Sequence, residues 1–96
     1  MKDELEDEDF LDEDYKIRSA QYKGDLTIKV IFTDGFVKTI NFRPMLENSH
    51  NPSIRSYLDE KKFQEFKLID GNLNWHDYDL IFPLRDLRKG QLSYQF

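Results

Sequence analysis

The sequence predicts a small α+β protein: an antiparallel sheet of two β-hairpins with one short helix packed on one face. Two stretches of alternating apolar residues, each interrupted by an Asp-Gly pair, predict the hairpins. Apolar residues at helical spacing between the two stretches predict the helix. With 96 residues, of which 39% are hydrophobic, the chain can form one modest core.

The first hairpin covers residues 26–42 and turns at Asp34-Gly35. A two-residue loop would place polar side chains opposite apolar ones, whereas a three-residue loop pairs Ile28 with Ile40. The pattern therefore predicts a type I turn with Gly35 left-handed in a G1 bulge. The predicted core residues of this hairpin are Ile28, Val30, Ile40 and Phe42.

The second hairpin covers residues 66–75, and its parity is different. Here a two-residue loop at Asp70-Gly71 keeps the apolar faces matched and pairs Phe66 with Trp75, which predicts a type I′ turn. We predict that Trp75 is the residue whose replacement by alanine damages the fold most. The predicted core residues of this hairpin are Phe66, Leu68, Leu73 and Trp75.

Weaker patterns flank the hairpins. Residues 15–21 predict an edge strand, since neither face is cleanly apolar. Asn51 followed by proline predicts an N-cap and a helix over residues 52–61. Pro83 predicts the start of a short helical turn that ends at Gly90. The last apolar residues alternate and fit either a final edge strand or a frayed end: Leu92, Tyr94 and Phe96.

Charge divides the chain into an acidic tail, residues 1–14, and a single α+β domain, residues 15–96. The tail holds nine acidic groups against Lys2, whereas the domain holds 13 Lys and Arg against 10 Asp and Glu. A block of like charges repels itself, so the tail is predicted to be disordered. It is either a solubilising tail or a segment that orders on a basic partner or on the domain's own positive groups. Its partner-binding candidates are Leu5, Phe10 and Leu11.

Composition and motifs limit the functions that the chain could have. The sequence has no P-loop, dinucleotide fingerprint, nucleophile elbow or zinc spacing, so we assign no catalytic residue and no cofactor. The net charge of the domain, +3, is small for a nucleic-acid binder, and we do not expect such binding by this chain alone. The sequence has no cysteine, no apolar run that could span a membrane and no signal-peptide pattern, and these three features predict a cytoplasmic protein.

One short stretch could support chemistry. His76, Asp77 and Asp79 combine an imidazole with two carboxylates, which could begin a metal site or an acid-base pair. A solvated loop explains the same residues. Asp34 and Asp70 are assigned a structural role with Gly35 and Gly71, because aspartate and glycine tolerate the backbone geometry of turns.

The order of these motifs resembles a small bacterial family known as domain of unknown function 2442. The resemblance covers about residues 16–90 and rests on Phe32-Thr33-Asp34-Gly35, on Ile40-Asn41-Phe42-Arg43-Pro44, and on Phe63, Phe66, Asp70-Gly71, Leu73, Trp75 and Asp79-Leu80. His76-Asp77-Tyr78 replaces the family's usual loop of small residues, and the acidic tail has no counterpart. The resemblance implies an antiparallel sheet crossed by a helix and an antitoxin-like or regulatory partner role, with no established activity.

Two hypotheses follow. The first is a non-enzymatic interaction module that binds another small protein through an exposed sheet edge or the tail. The second is a metal-binding or hydrolytic protein that uses His76, Asp77 and Asp79. The oligomeric state stays open.

Overall fold

The structure is a computed structural model, and it describes residues 15–90 and Leu92. The tail candidates Leu5, Phe10 and Leu11 therefore lie outside the described residues, as do Tyr94 and Phe96. The strands are β1 (Ile17–Gly24), β2 (Thr27–Phe32), β3 (Val37–Asn41), β4 (Phe66–Ile69), β5 (Asn72–Trp75) and β6 (Leu80–Ile81). The helices are α1 (Arg43–Asn48), α2 (Pro52–Arg55), α3 (Glu60–Phe63) and α4 (Leu84–Lys89), with a 3₁₀ turn at Ser56–Leu58.

The predicted α+β class is confirmed, but the prediction of one sheet needs correction. The strands form two antiparallel sheets, with the orders β1-β2-β3 and β4-β5-β6. Each hairpin gains its third strand from the chain next to it, and helices occupy the connection between β3 and β4. The two sheets meet where the Ile17 amide donates a hydrogen bond to the Gly71 carbonyl, at 2.8 Å.

The first hairpin has the predicted register. Ile28 pairs with Ile40, and Val30 pairs with Lys38. The Gly35 amide donates to the Phe32 carbonyl at 2.9 Å, and the φ angle of Gly35 is +92°. These features confirm the three-residue loop with a left-handed glycine.

The second hairpin also has the predicted register, with Phe66 opposite Trp75. The φ angles of Asp70 and Gly71 are +54° and +78°, as a type I′ turn requires. The prediction of a buried Leu68 is wrong, since this side chain is 39% exposed, and Phe66 is only partly buried. The reason is that β4 is an outer strand of its sheet, so its residues have a neighbouring strand on one side only.

The predicted helix over residues 52–61 is divided into three short segments. Its start is confirmed, because the Asn51 side chain accepts a hydrogen bond from the Ser53 amide at 2.8 Å. The division falls at Asp59, whose backbone is extended and whose carboxylate caps the next helix by accepting from the Lys61 amide. Aspartate favours a helix start over a helix interior. Helix α1 was not predicted at all.

The core centres on an aromatic cluster. Six of the eight predicted core residues are buried: Ile28, Val30, Ile40, Phe42, Leu73 and Trp75. The indole of Trp75 is fully buried, and its Nε1 donates to the Phe63 carbonyl at 2.8 Å. Rings from both hairpins and from the helical connection surround this indole, so Trp75 joins the two sheets to the helices. Within the described chain, the helices are too short or too polar to cross a membrane.

Candidate functional site

The predicted histidine loop is a tight turn between β5 and β6. Three successive residues have positive φ angles: His76 at 48°, Asp77 at 58° and Tyr78 at 71°. Left-handed geometry is unfavourable for residues with a Cβ atom, so the turn needs support from outside. Asn74 supplies it, because its Oδ1 accepts a hydrogen bond from the Tyr78 amide at 2.7 Å.

The side chains of this turn interact with other elements of the fold. The Nε2 atom of His76 lies 2.6 Å from a Glu65 carboxylate oxygen. The Tyr57 hydroxyl donates to the Asp79 carboxylate at 2.7 Å. Burial, together with this hydrogen bond, raises the pKa of Tyr57 well above its ordinary value, so the phenol stays protonated.

The three residues of the metal-site hypothesis thus have separate structural surroundings, and Asp77 is exposed to solvent. Across residues 15–90, no three side chains among His, Cys, Asp and Glu are grouped closely enough to hold a metal ion. Through their contacts with Glu65 and Tyr57, His76 and Asp79 fix the turn to the connection between β3 and β4.

An open groove of about 560 Å³ lies beside the histidine turn. Asn74 is 1% exposed, and among the described atoms its Nδ2 has no hydrogen-bond acceptor. The other lining residues carry charges of both signs or are apolar: Glu65, Lys67, Ile69, His76 and Asp77. Because these charges largely offset one another, the groove does not define one class of ligand.

The outer edge of β3 is a second candidate surface. Phe32 and Phe36 share a ladder hydrogen bond, and so do Leu26 and Phe42. Ladder bonds alternate along an antiparallel pair, so every second residue of β3 directs its backbone groups away from β2. Those residues are Val37, Thr39 and Asn41, and all three side chains are exposed. Their outward N–H and C=O groups have no hydrogen bond to any other described element.

Apolar surface begins at the same edge. Phe36 is 40% exposed and Val37 is 47% exposed. The Arg88 guanidinium covers the other side of Phe36, 4.3 Å from the ring centroid, and it also donates to the Asp34 carboxylate at 2.8 Å. These hydrogen bonds hold the pKa of Asp34 below its ordinary value. The turn that starts β3 is therefore fixed to α4.

Sequence patterns missed Asn74, Arg88 and the alternation of backbone groups along β3. Period-two alternation places Asn74 on the side of β5 opposite Trp75, which predicts an exposed residue. Arg88 lies 54 residues from Asp34 in the chain, and nothing in the sequence links the two. The outward direction of the Thr39 amide could have been found from the predicted loop length, because that length fixes which pairs share ladder bonds.

Comparison of the chain with protein-family models, with curated proteins and with solved structures gives no match.

Proposed function

We propose that this protein is a non-enzymatic interaction module that binds another small protein by adding a strand of that protein to the β3 edge. One observation carries the proposal: three consecutive outward positions of β3 present backbone groups with no partner among the described residues. Natural proteins block or cover such edges unless they use them. Strand addition uses backbone hydrogen bonds for affinity and alternate side chains for specificity.

The energies show what a partner strand must supply. The six outward N–H and C=O groups can each form a hydrogen bond with a partner strand, and each such bond stabilises the complex by a net of about 0.5–1.5 kcal/mol. Loss of translational and rotational freedom costs at least about 4 kcal/mol, so the ladder alone gives weak binding. The exposed faces of Phe36 and Val37 supply the remaining apolar area. We therefore expect a partner strand with apolar residues opposite these two positions.

We also propose that the chain is related to the bacterial family that its sequence resembles. A bacterial, cytoplasmic protein related to domain of unknown function 2442, acting as an antitoxin-like or regulatory partner of another small protein, fits a module that offers a strand edge. The charge of +3 on the domain is distributed over several elements, which gives no support to nucleic-acid binding.

Substitution of proline for Thr39 tests the proposal. Proline removes an N–H that β2 does not use, and edge strands tolerate proline at such positions. We expect the wild-type chain to co-purify with a stoichiometric companion at native expression level, and T39P to lose it while its melting temperature falls by only a few degrees. A matched control is Leu68→Pro, at an outward position of β4.

Three outcomes would contradict the proposal. T39P could retain the companion, in which case the β3 edge is not the binding surface. L68P alone could lose it, which would move the surface to β4. The wild-type chain could also show no companion at all, which would remove the basis for an interaction module.

A further inference from the structure

We infer that the partner strand that adds to β3 is acidic, with a carboxylate opposite Thr39. The inference rests on the proposed function, because it names the chemistry of the partner that the β3 edge binds. It comes from the charge of the first sheet. Strands β1, β2 and β3 contain no Asp or Glu and four cationic residues: Arg18, Lys23, Lys29 and Lys38. In the rest of residues 15–96, the positive and negative groups nearly cancel.

Three of these cations lie on the face of the sheet that is turned away from the core, which we name the outer face. Lys29 is partly exposed and alternates with the buried residues of β2, so its side chain is on the outer face. Arg18 and Lys23 are exposed on β1. Lys38 pairs with the buried Val30 and therefore lies on the opposite face. The outer face is thus positively charged and has no acid on its strands.

The cations of the outer face are available to a partner. Within the described part of the chain, Arg18, Lys23 and Lys29 have no ion pair and no side-chain hydrogen bond. The acid nearest to β2 in the sequence, Asp25, is paired with Arg43 at 2.6 Å. A carboxylate can therefore approach Lys29 without displacing another contact.

Strand addition at β3 brings a partner side chain into line with Lys29. Lys29 pairs with Thr39, so the residue opposite Thr39 on an added strand extends the same row across the sheet. Two strand spacings, about 10 Å, separate Lys29 from that residue. The long stem of lysine and the side chain of a glutamate extend towards each other over the short Thr39. In the next row, Ile31 pairs with Val37, which favours an apolar partner residue two positions from the acid.

The composition of the outer face favours an acidic protein strand over nucleic acid. Single-stranded nucleic acid is bound by aromatic side chains on which its bases stack. The outer face has no aromatic residue. Apart from the three cations, the ladder pairs and the alternation along the strands place these residues on it: Ser19, Gln21, Thr27, Ile31, Val37, Thr39 and Asn41.

Two capped peptides test the inference on the ¹⁵N-labelled full chain. The first, Thr-Thr-Glu-Thr-Val-Val, places glutamate opposite Thr39 and valines opposite Val37 and Phe36 in an antiparallel ladder, which is the more stable arrangement. In the second peptide, lysine replaces glutamate. We expect the glutamate peptide to shift the amide signals of residues 37–41 and to bind at least about threefold more tightly than the lysine peptide. The difference should largely disappear at about 0.5 M salt, because the charges are screened.

Substitutions of Lys29 show whether this side chain selects the partner. Lys29→Glu should reverse the preference, so that the lysine peptide binds more tightly, whereas Lys29→Gln should make the two peptides equal. The matched control is Lys67→Glu, which makes the same change in net charge as K29E at an exposed residue of β4 and should keep the preference. The Trp75 indole signal and the melting temperature confirm that each variant is folded.

The outcomes separate this inference from the proposed function. Equal binding of both peptides to the wild type, lost in T39P, would overturn the acid preference and leave the β3 edge as the binding surface. Binding of the glutamate peptide that T39P retains would count against both, since the ladder would not be involved. The inference also fails if neither peptide at millimolar concentration shifts the β3 signals. Displacement of the glutamate peptide by a short oligothymidylate would assign the outer face to nucleic acid and contradict the inference.

Discussion

Replacement of Trp75 by alanine should be the most damaging single change in the core. The indole is fully buried, and the rings of Phe42 and Phe63 lie 5.7 Å and 5.4 Å from it between centroids. Loss of a buried tryptophan side chain costs about 3–5 kcal/mol, which includes the cavity that remains. A domain of this size has about 5–15 kcal/mol of stability, so W75A should lose about a fifth of it or more.

The hydrogen bond of the indole makes this loss separable into two parts. Trp75 Nε1 donates to the Phe63 carbonyl, and Trp75→Phe keeps a ring in place but leaves that carbonyl without a donor. We expect W75F to cost about 1–3 kcal/mol, the range for a buried group that loses its partner. The difference between W75A and W75F then measures ring packing.

Urea unfolding followed by far-ultraviolet circular dichroism measures these free energies, since the substitutions remove the only tryptophan. The control is Leu68→Ala, which should cost less than about 1.5 kcal/mol because the side chain is 39% exposed. The reasoning is refuted if L68A destabilises the protein as much as W75A does. A W75A cost near that of W75F would equally refute it, because packing would then contribute nothing.

Three further substitutions test the turns. Gly71→Ala should lower the unfolding free energy by about 2 kcal/mol, since the φ angle is +78° and the added Cβ atom would lie 2.6 Å from the Lys16 Cβ. Gly35→Ala should cost less, because the φ angle of +92° is also left-handed but the space around this residue is open. Asp34 has a pKa lowered by Arg88, so its ion pair stabilises the fold above the ordinary carboxyl pKa, and this contribution is lost as pH falls through the lower folded pKa. The difference in unfolding free energy between wild type and Asp34→Asn should therefore be constant from about pH 5 to 7 and become smaller below about pH 4. A difference that stays constant down to about pH 2.5 would contradict this reasoning.

Local geometry was predictable because neighbouring residues determine it. The loop lengths at Asp34-Gly35 and Asp70-Gly71 follow from the parity of the apolar residues, since a one-residue slip exposes the whole apolar face. The Asn51 N-cap and the end of α4 at Gly90 follow from residues that satisfy a helix end within one turn. Register and helix ends are therefore properties of the sequence.

The division of the predicted helix at Asp59 could have been foreseen, but helix α1 could not. An aspartate followed by charged residues is a helix-start pattern, which Asp59-Glu60 contains. In α1, proline at the second position indicated the end of a strand equally well. Six residues carry too little periodicity to decide between the two structures.

The sequence by itself determined the α+β class, both hairpin turns and their registers, because these depend on side chains a few positions apart. Only the tertiary structure decided that the hairpins lie in separate sheets, that Leu68 is exposed, and that Arg88 meets Asp34 across 54 residues. The same holds for the candidate site: the pairing of His76 with Glu65 and the support that Asn74 gives to the turn depend on packing. Contacts between distant segments form only when the whole core is assembled, so no local pattern records them.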